Sequence, residues 1–293
     1  MVLETLLSAK SAHRHPLLLM MHAMVLSSIA IWIAHLAFPE SASMLSIAFF
    51  TIALIPIMEN LLKHEEKIEA KHPGFAASFL TRHSNILQAY AWIFIGLIVS
   101  YAFWYTVLPV GMKGEIFSAQ ESAFQSISET KSSLTGMFNA SAACGKDSLC
   151  WFGVILSNNA MVLFLAIVLS LLFGAGAIFL IAWNASIIGV VIGKDVISLA
   201  ANYTQFGFFN GILAFSNGMY NALGLLPHGI FEASAYFIAA IAGAIIGIAA
   251  TKRHYYKHEM KTILQDAIIL IIIALACLTI GAFIEAQIIV AGL

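Results

Sequence analysis

The sequence predicts an all-α fold: a polytopic transmembrane helical bundle with about seven crossings, including one broken or re-entrant segment. The first observation is composition, since 61% of the 293 residues are hydrophobic and only 10% are charged. In soluble domains about 25% of residues are charged. The second observation is that several apolar stretches exceed the roughly 18 residues that a membrane-spanning helix needs. The clearest stretches are Leu17–Phe38, Ile86–Leu108, Val154–Trp183, Ile230–Ala250 and Ile263–Val290.

The first three helices form an N-terminal transmembrane region, residues 1–108. Lys10 and Arg14 precede the first apolar stretch as they would in a signal peptide, but no small-residue cleavage site follows it. We therefore expect an uncleaved helix one over about 16–38. Helix two should cover about 42–62, and a charged segment, 63–83, separates it from helix three.

The basic residues predict the orientation of the chain. Ten of the fourteen Lys and Arg residues lie before helix one, between helices two and three, or before the last helix. Cytoplasmic loops are enriched in Lys and Arg, so these three segments should be cytoplasmic. We expect a multi-pass protein of the cell membrane with a cytoplasmic N-terminus and an external C-terminus. The ten residues are Lys10, Arg14, Lys63, Lys67, Lys71, Arg82, Lys252, Arg253, Lys257 and Lys261.

Residues 109–151 form the predicted external loop, which holds two of the three cysteines, Cys144 and Cys150. An oxidising face of the membrane favours a disulfide bond between them over two free thiols. Their spacing does not indicate a metal site, because no histidine or second cysteine pair lies nearby.

The segment 184–226 has to cross the membrane once, because the helix after it must end at the basic pair Lys252-Arg253. It is about twice as long as one span requires. We expect helix four over about 152–183, a helix over about 185–201, and a short or re-entrant piece over Phe206–Leu226. Asn and Gly residues interrupt this piece, and irregular backbone survives at membrane depth only inside protein or beside water.

Ionisable residues inside apolar stretches are candidate functional residues, because burying them is costly. Lys194 and Asp195 are neighbours on the 185–201 helix and point about 100° apart. Each should therefore have its own partner. His228 and Glu232 lie four residues apart at the start of the 229–250 helix and share one helical face.

The pair of His228 and Glu232 has three interpretations. The two side chains satisfy one another, they form a proton or ion site in a conduction path, or they supply two ligands of a catalytic metal. A zinc site usually needs three protein ligands, and the sequence spacing selects no third ligand. We therefore predict no metal site, no cofactor site and no catalytic residues.

Two asparagines, Asn158 and Asn184, complete the candidate polar membrane site. Their amides either satisfy backbone groups at helix ends or line a polar path. Small-residue motifs at Gly189–Gly193 and Gly243–Gly247 allow close helix approach. We expect them to pack helices four, five and six into one tight unit, or to serve as seams for a homo-oligomer or a protein partner.

The block from Asn158 to Ala250 resembles the stage II sporulation protein M family of membrane proteins. The matching features are Asn near a helix start, Trp183-Asn184, the Gly-bearing stretch Ser186–Gly193, and the run Leu226-Pro-His-Gly-Ile-Phe-Glu232. The resemblance implies a membrane core over 152–251 without an established catalytic mechanism, followed by a cytoplasmic turn and last helix over 252–293. The family's namesake is understood as a scaffold within a peptidoglycan-degrading engulfment complex.

The sequence therefore predicts a non-enzymatic membrane protein whose surroundings are the lipid bilayer. It contains no nucleotide-binding loop, no Gly-x-Ser-x-Gly nucleophile motif and no basic block suited to nucleic acid. A scaffold or assembly role is the first expectation. The alternative is a channel or transporter for a small ion or solute that uses segment 184–226 and the His228/Glu232 pair. The third and least favoured function is that of an intramembrane metal-dependent hydrolase.

Overall fold

The computed structural model describes residues 16–69, 77–128, 144–201, 207–251 and 257–291. These residues form ten α-helices and two short 3₁₀ turns, with no strand in any of the described ranges. The helices are α1 Pro16–Ala37, α2 Ala42–Glu69, α3 Ala77–Val107, α4 Val110–Ile116, α5 Ser118–Ser128, α6 Ser148–Phe173, α7 Ile178–Ala200, α8 Phe208–Asn221, α9 Leu226–Thr251 and α10 Lys257–Ala291.

Seven of these helices are long and apolar enough to cross a membrane. The all-α polytopic bundle predicted from the sequence is thereby confirmed. Because the helices have so much apolar surface, their environment is a lipid bilayer. The spans are Leu17–Ala37, Pro39–Leu61, Ser84–Val107, Ser148–Phe173, Ile178–Ala200, Pro227–Gly247 and Leu264–Ala291.

Four spans, α1, α2, α3 and α7, pack together as one unit, which we call the four-helix unit. Its centre is α3, which contacts α7 where two glycines leave room for tyrosine rings. A Cβ atom added at Gly189 would lie 2.6 Å from the Cβ of Tyr101, and one at Gly193 would lie 2.8 Å from the Cβ of Tyr105. The matching order of these contacts means that α3 and α7 run parallel.

The other three spans, α6, α9 and α10, form a second unit, the three-helix unit. Gly243 lies against the backbone oxygen of Ile167, and a Cβ atom at Gly247 would lie 2.5 Å from the backbone oxygen of Leu171. Such small-residue contacts let helix backbones approach closely in lipid. We call the end of this unit where α6 and α9 begin and α10 ends the disulfide end.

Two features join the units. The ring of Tyr90 in α3 stacks on the ring of Phe237 in α9 with centroids 5.7 Å apart, and Phe94 meets the same ring edge-on. The chain itself passes from α6 to α7 through a tight turn. Gly174 in this turn has φ +63°, a left-handed conformation that glycine adopts without steric cost.

The predicted limits of helix four were wrong. Its expected range was 152–183, but α6 ends at Phe173 and α7 begins at Ile178, so Asn184 lies inside a helix. Hydropathy continues unbroken across this turn and hides it. The sequence signal for this turn is the pair of glycines Gly174 and Gly176. Gly176 is needed there because it lies directly against the backbone oxygen of Leu169.

The expected tight unit of helices four, five and six was also wrong. The helix that contains Gly189 and Gly193 packs chiefly on α3, not on α6 or α9. The same small-residue spacing occurs in both motifs, and it indicates close approach without selecting the neighbour.

The segment expected to be broken consists of the rest of α7, helix α8 and a 3₁₀ turn over Ala222–Leu225; residues 202–206 lie outside the described ranges. Helix α8 packs on the end of α7, where Gly218 contacts the side chain of Val196. It is short and lies beside the span rather than continuing it.

Part of the predicted external loop is a helical hairpin, α4 and α5, that folds back along α3. Ile116, Phe117 and Gln120 are fully buried. The ring of Phe117 lies 6.0 Å from that of Tyr101 and 5.3 Å from that of Tyr105. The hairpin therefore packs beside the last two turns of α3. Residues 129–143 of the loop lie outside the described part of the chain.

Candidate functional site

A half-buried carboxyl group at Glu232 is the centre of the candidate site. The helix α9 presents it one turn after His228, facing α6 and α10. The Nδ2 amide of Asn159 in α6 donates a hydrogen bond of 2.7 Å to Glu232 Oε1. A hydrogen bond to a charged group contributes about 1.5–3 kcal/mol, so this amide fixes the position of the carboxyl group.

A second carboxyl group, that of Glu285 in α10, lies within hydrogen-bonding reach of Glu232. An ionised carboxylate can only accept hydrogen bonds, so a hydrogen bond between the two groups requires one proton. Gly281 allows this proximity, because a Cβ atom there would lie 2.9 Å from the Cγ of Glu232. We call Asn159, Glu232 and Glu285 the carboxyl site.

The carboxyl site lies inside the membrane spans, close to the disulfide end. Glu232 is five residues into the span that begins at Pro227, which places its backbone about 8 Å from that end. Glu285 lies six residues before Ala291, the end of its span. One turn deeper than Glu232, Tyr236 is buried and lies within electrostatic range of both carboxyl groups.

His228 does not satisfy Glu232, which corrects one of the three interpretations of this pair. The hydrogen-bonding partners of Glu232 are Asn159 and Glu285. The Nδ1 atom of His228 is buried and has no hydrogen-bond partner among the described residues. The prediction that the two residues share one helical face was correct, but the carboxyl group of Glu232 turns toward the neighbouring helices.

Two features of the carboxyl site bear on metal binding. Within the described ranges, no group of three or more His, Cys, Asp or Glu residues could hold a metal. Asn159 offers its N–H to the carboxyl group, and an N–H donor competes with a cation for the same lone pairs.

Lys194 and Asp195 lie outside this site, near the end of α7, and each has its own partner, as their angular separation predicted. Lys194 Nζ lies 3.6 Å from Glu121 Oε1 in α5. Asp195 Oδ2 accepts a hydrogen bond of 2.9 Å from Asn221 Nδ2 in α8. Both contacts hold short helices against α7.

The contacts of Glu121 tie the α4–α5 hairpin to the four-helix unit. The hydroxyl of Tyr105 donates a hydrogen bond to the same oxygen that faces Lys194. Lys113 in α4 lies over the Tyr105 ring, 5.2 Å from its centroid. Partial burial lowers the pKa of the Lys113 ammonium group, and the Glu121 carboxylate partly offsets this effect.

Neither of the two predicted asparagines belongs to the carboxyl site. Asn158 is exposed on α6, while its neighbour Asn159 makes the contact. Asn184 Nδ2 donates to the backbone oxygen of Leu180 in its own helix, 2.8 Å away. The sequence analysis left Glu285 out of the candidate site, although a carboxyl group in an apolar helix is itself a site signal.

Cys144 and Cys150 are joined by a disulfide bond, with their Cα atoms 5.3 Å apart. The bond closes the loop that leads into α6. Asp147 caps this helix, accepting hydrogen bonds from the backbone N–H groups of Leu149 and Cys150. The capped helix start holds the disulfide at the same end of the unit as the carboxyl site.

By fold and site, the chain is a polytopic helical membrane protein with an ionisable centre between three of its spans. It belongs to the stage II sporulation protein M family, whose model matches residues 17–288. The match covers both helical units, well beyond the block Asn158–Ala250 that carried the resemblance. An uncharacterized protein of Methanocaldococcus jannaschii is 34% identical over 140 residues, which cover 47% of this chain and 70% of that relative. No solved structure matches the chain significantly.

Proposed function

We propose that this chain is a non-enzymatic membrane transporter that binds and releases a proton at the carboxyl site. The observation that carries the proposal is the contact of two carboxyl groups, Glu232 and Glu285, between three spans. Ionisable residues inside spans are costly and commonly mark proton relays and ion pathways. A site that holds one proton between two carboxyl groups is suited to exchanging it.

The proposal includes an orientation in which the disulfide end faces the outside and the basic segments face the cytoplasm. The positive-inside rule supports this arrangement. Disulfide bonds form and persist on oxidising faces, which supports it independently. The carboxyl site would then lie near the external surface.

Flux across proteoliposomes tests the proposal. We expect purified protein to move protons in response to a pH gradient, read by a pH-sensitive dye inside the vesicles. Glu232→Gln should abolish this flux while preserving the hydrogen bond from Asn159. The matched control is Glu121→Gln, which removes a carboxylate of the α4–α5 hairpin and should leave the flux unchanged.

The result that would overturn transport is wild-type protein that is folded in the vesicles but moves no protons. Flux that persists unchanged in Glu232→Gln would equally exclude the carboxyl site as its path. Common ions and small solutes, added singly, would identify a coupled substrate through flux that appears only with a proton gradient.

A second candidate function, a scaffold or assembly role of the stage II sporulation protein M type, is favoured by the helices at the opposite end. Helix α2 continues to Glu69, eight residues past the end of its span at Leu61. Helix α3 begins at Ala77, seven residues before its span begins at Ser84. An extension of eight residues reaches about 12 Å beyond the membrane span, where a soluble partner has access.

Site-specific cross-linking tests the scaffold role. A photoreactive residue at position 66 should capture a defined partner in native membranes, whereas one at the lipid-exposed position 29 should not. Capture of the same species at both positions, or at neither, would contradict a binding surface on the α2 extension.

A further inference from the structure

We infer that in this conformation the carboxyl site is open to the disulfide end and closed toward the opposite end, and that His228 carries the proton between water and Glu232. Transport then requires a second conformation that opens the site to the opposite side. The inference rests on the proposed function, because it concerns the route to the same site. It adds a side of access and a relay residue to that proposal.

The polar route follows one face of α9. His228, Glu232 and Tyr236 are spaced four residues apart, so they lie above one another on that face. The face meets α10, where a Cβ atom at Gly281 would lie 3.3 Å from the backbone oxygen of His228 and 2.9 Å from the Cγ of Glu232. The polar groups therefore follow one another along the contact between α9 and α10.

The outer end of this route is open to the disulfide end. Pro227 is exposed and His228 is only half-buried. The Nδ1 atom of His228 is nevertheless buried without a hydrogen-bond partner in the described part of the chain. A neutral imidazole has one donor and one acceptor nitrogen, so the ring can take a proton at one nitrogen and release one from the other.

The inner end of the route is closed by tight apolar packing. All residues from Ala239 to Ala244 are buried. Gly243 and Gly247 press against the backbone oxygens of Ile167 and Leu171, so there is no space for a side chain between α6 and α9. A water-filled path needs polar partners and room for a water molecule, and this seam offers neither.

A further apolar layer lies beside the seam. The ring of Phe237, next to Tyr236, is stacked on the buried ring of Tyr90 in α3. The polar face of α9 therefore ends at Tyr236, about two turns from the start of its span.

Few ionisable groups surround Glu232, so the relay has few competitors. In the step itself, a hydronium ion at the disulfide end protonates one imidazole nitrogen of His228 and becomes water. The imidazolium then releases the proton from its other nitrogen to the Glu232 carboxylate through a bridging water, because the two side chains share no direct hydrogen bond. The imidazole returns to its neutral form, and no other bond changes. Within the described residues, the ionisable groups that interact with Glu232 are Glu285 of α10 and Tyr236 of α9, beside the neutral amide of Asn159 in α6. His228 lies one turn away on the same helix.

The test is infrared spectroscopy of the carboxyl carbonyl band in proteoliposomes after a pH jump applied to one side. Membrane-impermeant thiol labelling, performed after reduction of Cys144–Cys150, establishes the orientation of the protein. We expect the band to respond promptly to a jump on the disulfide side, and to a jump on the opposite side only as slowly as protons cross the membrane through the protein. His228→Gln should slow that response by roughly tenfold or more, because a positioned acid–base group contributes about 10²-fold to 10⁴-fold to proton transfer.

His22→Gln is the matched control, since His22 lies in α1 and its Nδ1 atom is bonded to the backbone oxygen of Leu18. This variant should respond at the wild-type rate. An equal response from both sides, or an unchanged rate in His228→Gln, would overturn the inference while leaving the proposed function intact. Absence of any band that depends on Glu232 would instead overturn the proposed function.

Discussion

The two helical units have different kinds of polar group at their helix–helix contacts. In the four-helix unit these groups are hydroxyls, such as Ser27, which donates to Ser100 Oγ at 2.7 Å. Ser46 and the hydroxyl of Tyr101 are 3.1 Å apart. In the three-helix unit the central groups are the carboxyl groups of Glu232 and Glu285, with an amide beside them.

The difference separates polar groups that serve helix packing from polar groups that can exchange a proton. A hydroxyl both donates and accepts, so it can bond to a carbonyl of its own helix and cost little in lipid. Ser28 and Thr51 make such bonds to Met24 and Ile47. A carboxylate has no donor, so it needs a partner from another group and responds to pH. We therefore interpret the hydroxyls as structural and the carboxyl site as functional.

The largest expected effect is loss of flux when the amide beside Glu232 is removed. Asn159→Ala deletes a hydrogen bond to a charged group, which contributes about 1.5–3 kcal/mol and corresponds to roughly a tenfold to hundredfold change. Proton flux in proteoliposomes should fall accordingly. Asn158→Ala, at the exposed neighbouring position, should retain wild-type flux, and an equal loss in both variants would contradict the role of Asn159.

The next effect concerns the seam between α6 and α9. Gly243→Ala places a methyl group against the backbone oxygen of Ile167, and overpacking of this kind costs about 1–3 kcal/mol. Denaturant unfolding in detergent micelles should report a loss of that size. Gly153→Ala, on the same α6 helix but with nothing within 4 Å, is the control. It should be neutral or slightly stabilising, and a loss similar to that of Gly243→Ala would show that the seam is not tight.

Much of the fold could be predicted because lipid imposes long apolar helices with their backbone groups satisfied internally. Hydropathy therefore placed all seven spans. It could not place the turn at Gly174, since the residues on both sides are equally apolar. It also missed α4 and α5, which are only 7 and 11 residues long and too short to give a spanning signal.

The candidate site was only partly predictable. His228 and Glu232 stand out as ionisable residues at helical spacing, and the structure brings Glu232 to the centre. Which of Asn158 and Asn159 faces it depends on the rotation of α6 about its axis, and sequence spacing alone does not determine that rotation. Glu285 was left out of the predicted site because it lies close to the end of its span, six residues before Ala291.

A smaller effect is expected in the hydroxyl network of the four-helix unit. Ser27→Ala and Ser100→Ala should each cost about 0.6 kcal/mol, the average for hydrogen bonds between membrane helices. Unfolding in detergent micelles would measure this cost, and proton flux should be unchanged. A loss of flux comparable with that of Asn159→Ala would contradict the interpretation that the hydroxyls are structural and the carboxyl site is functional.

Reduction of the disulfide bond should have a modest effect on stability, about 2 kcal/mol in the loop-entropy model. Cys144 and Cys150 close a short loop, and the entropy that a disulfide removes from the unfolded chain falls with loop length. After reduction, a membrane-impermeant thiol reagent should label both cysteines from outside in intact cells. Labelling only in inverted vesicles would reverse the proposed orientation.

The central claim is that Glu232 and Glu285 hold a shared, exchangeable proton inside the three-helix unit. Infrared difference spectra of the purified protein, recorded between two pH values, test it most directly, because a protonated carboxyl group has its own carbonyl band. We predict a band that disappears in both Glu232→Gln and Glu285→Gln and persists in Glu121→Gln. A spectrum unchanged by either of the first two variants would contradict the claim.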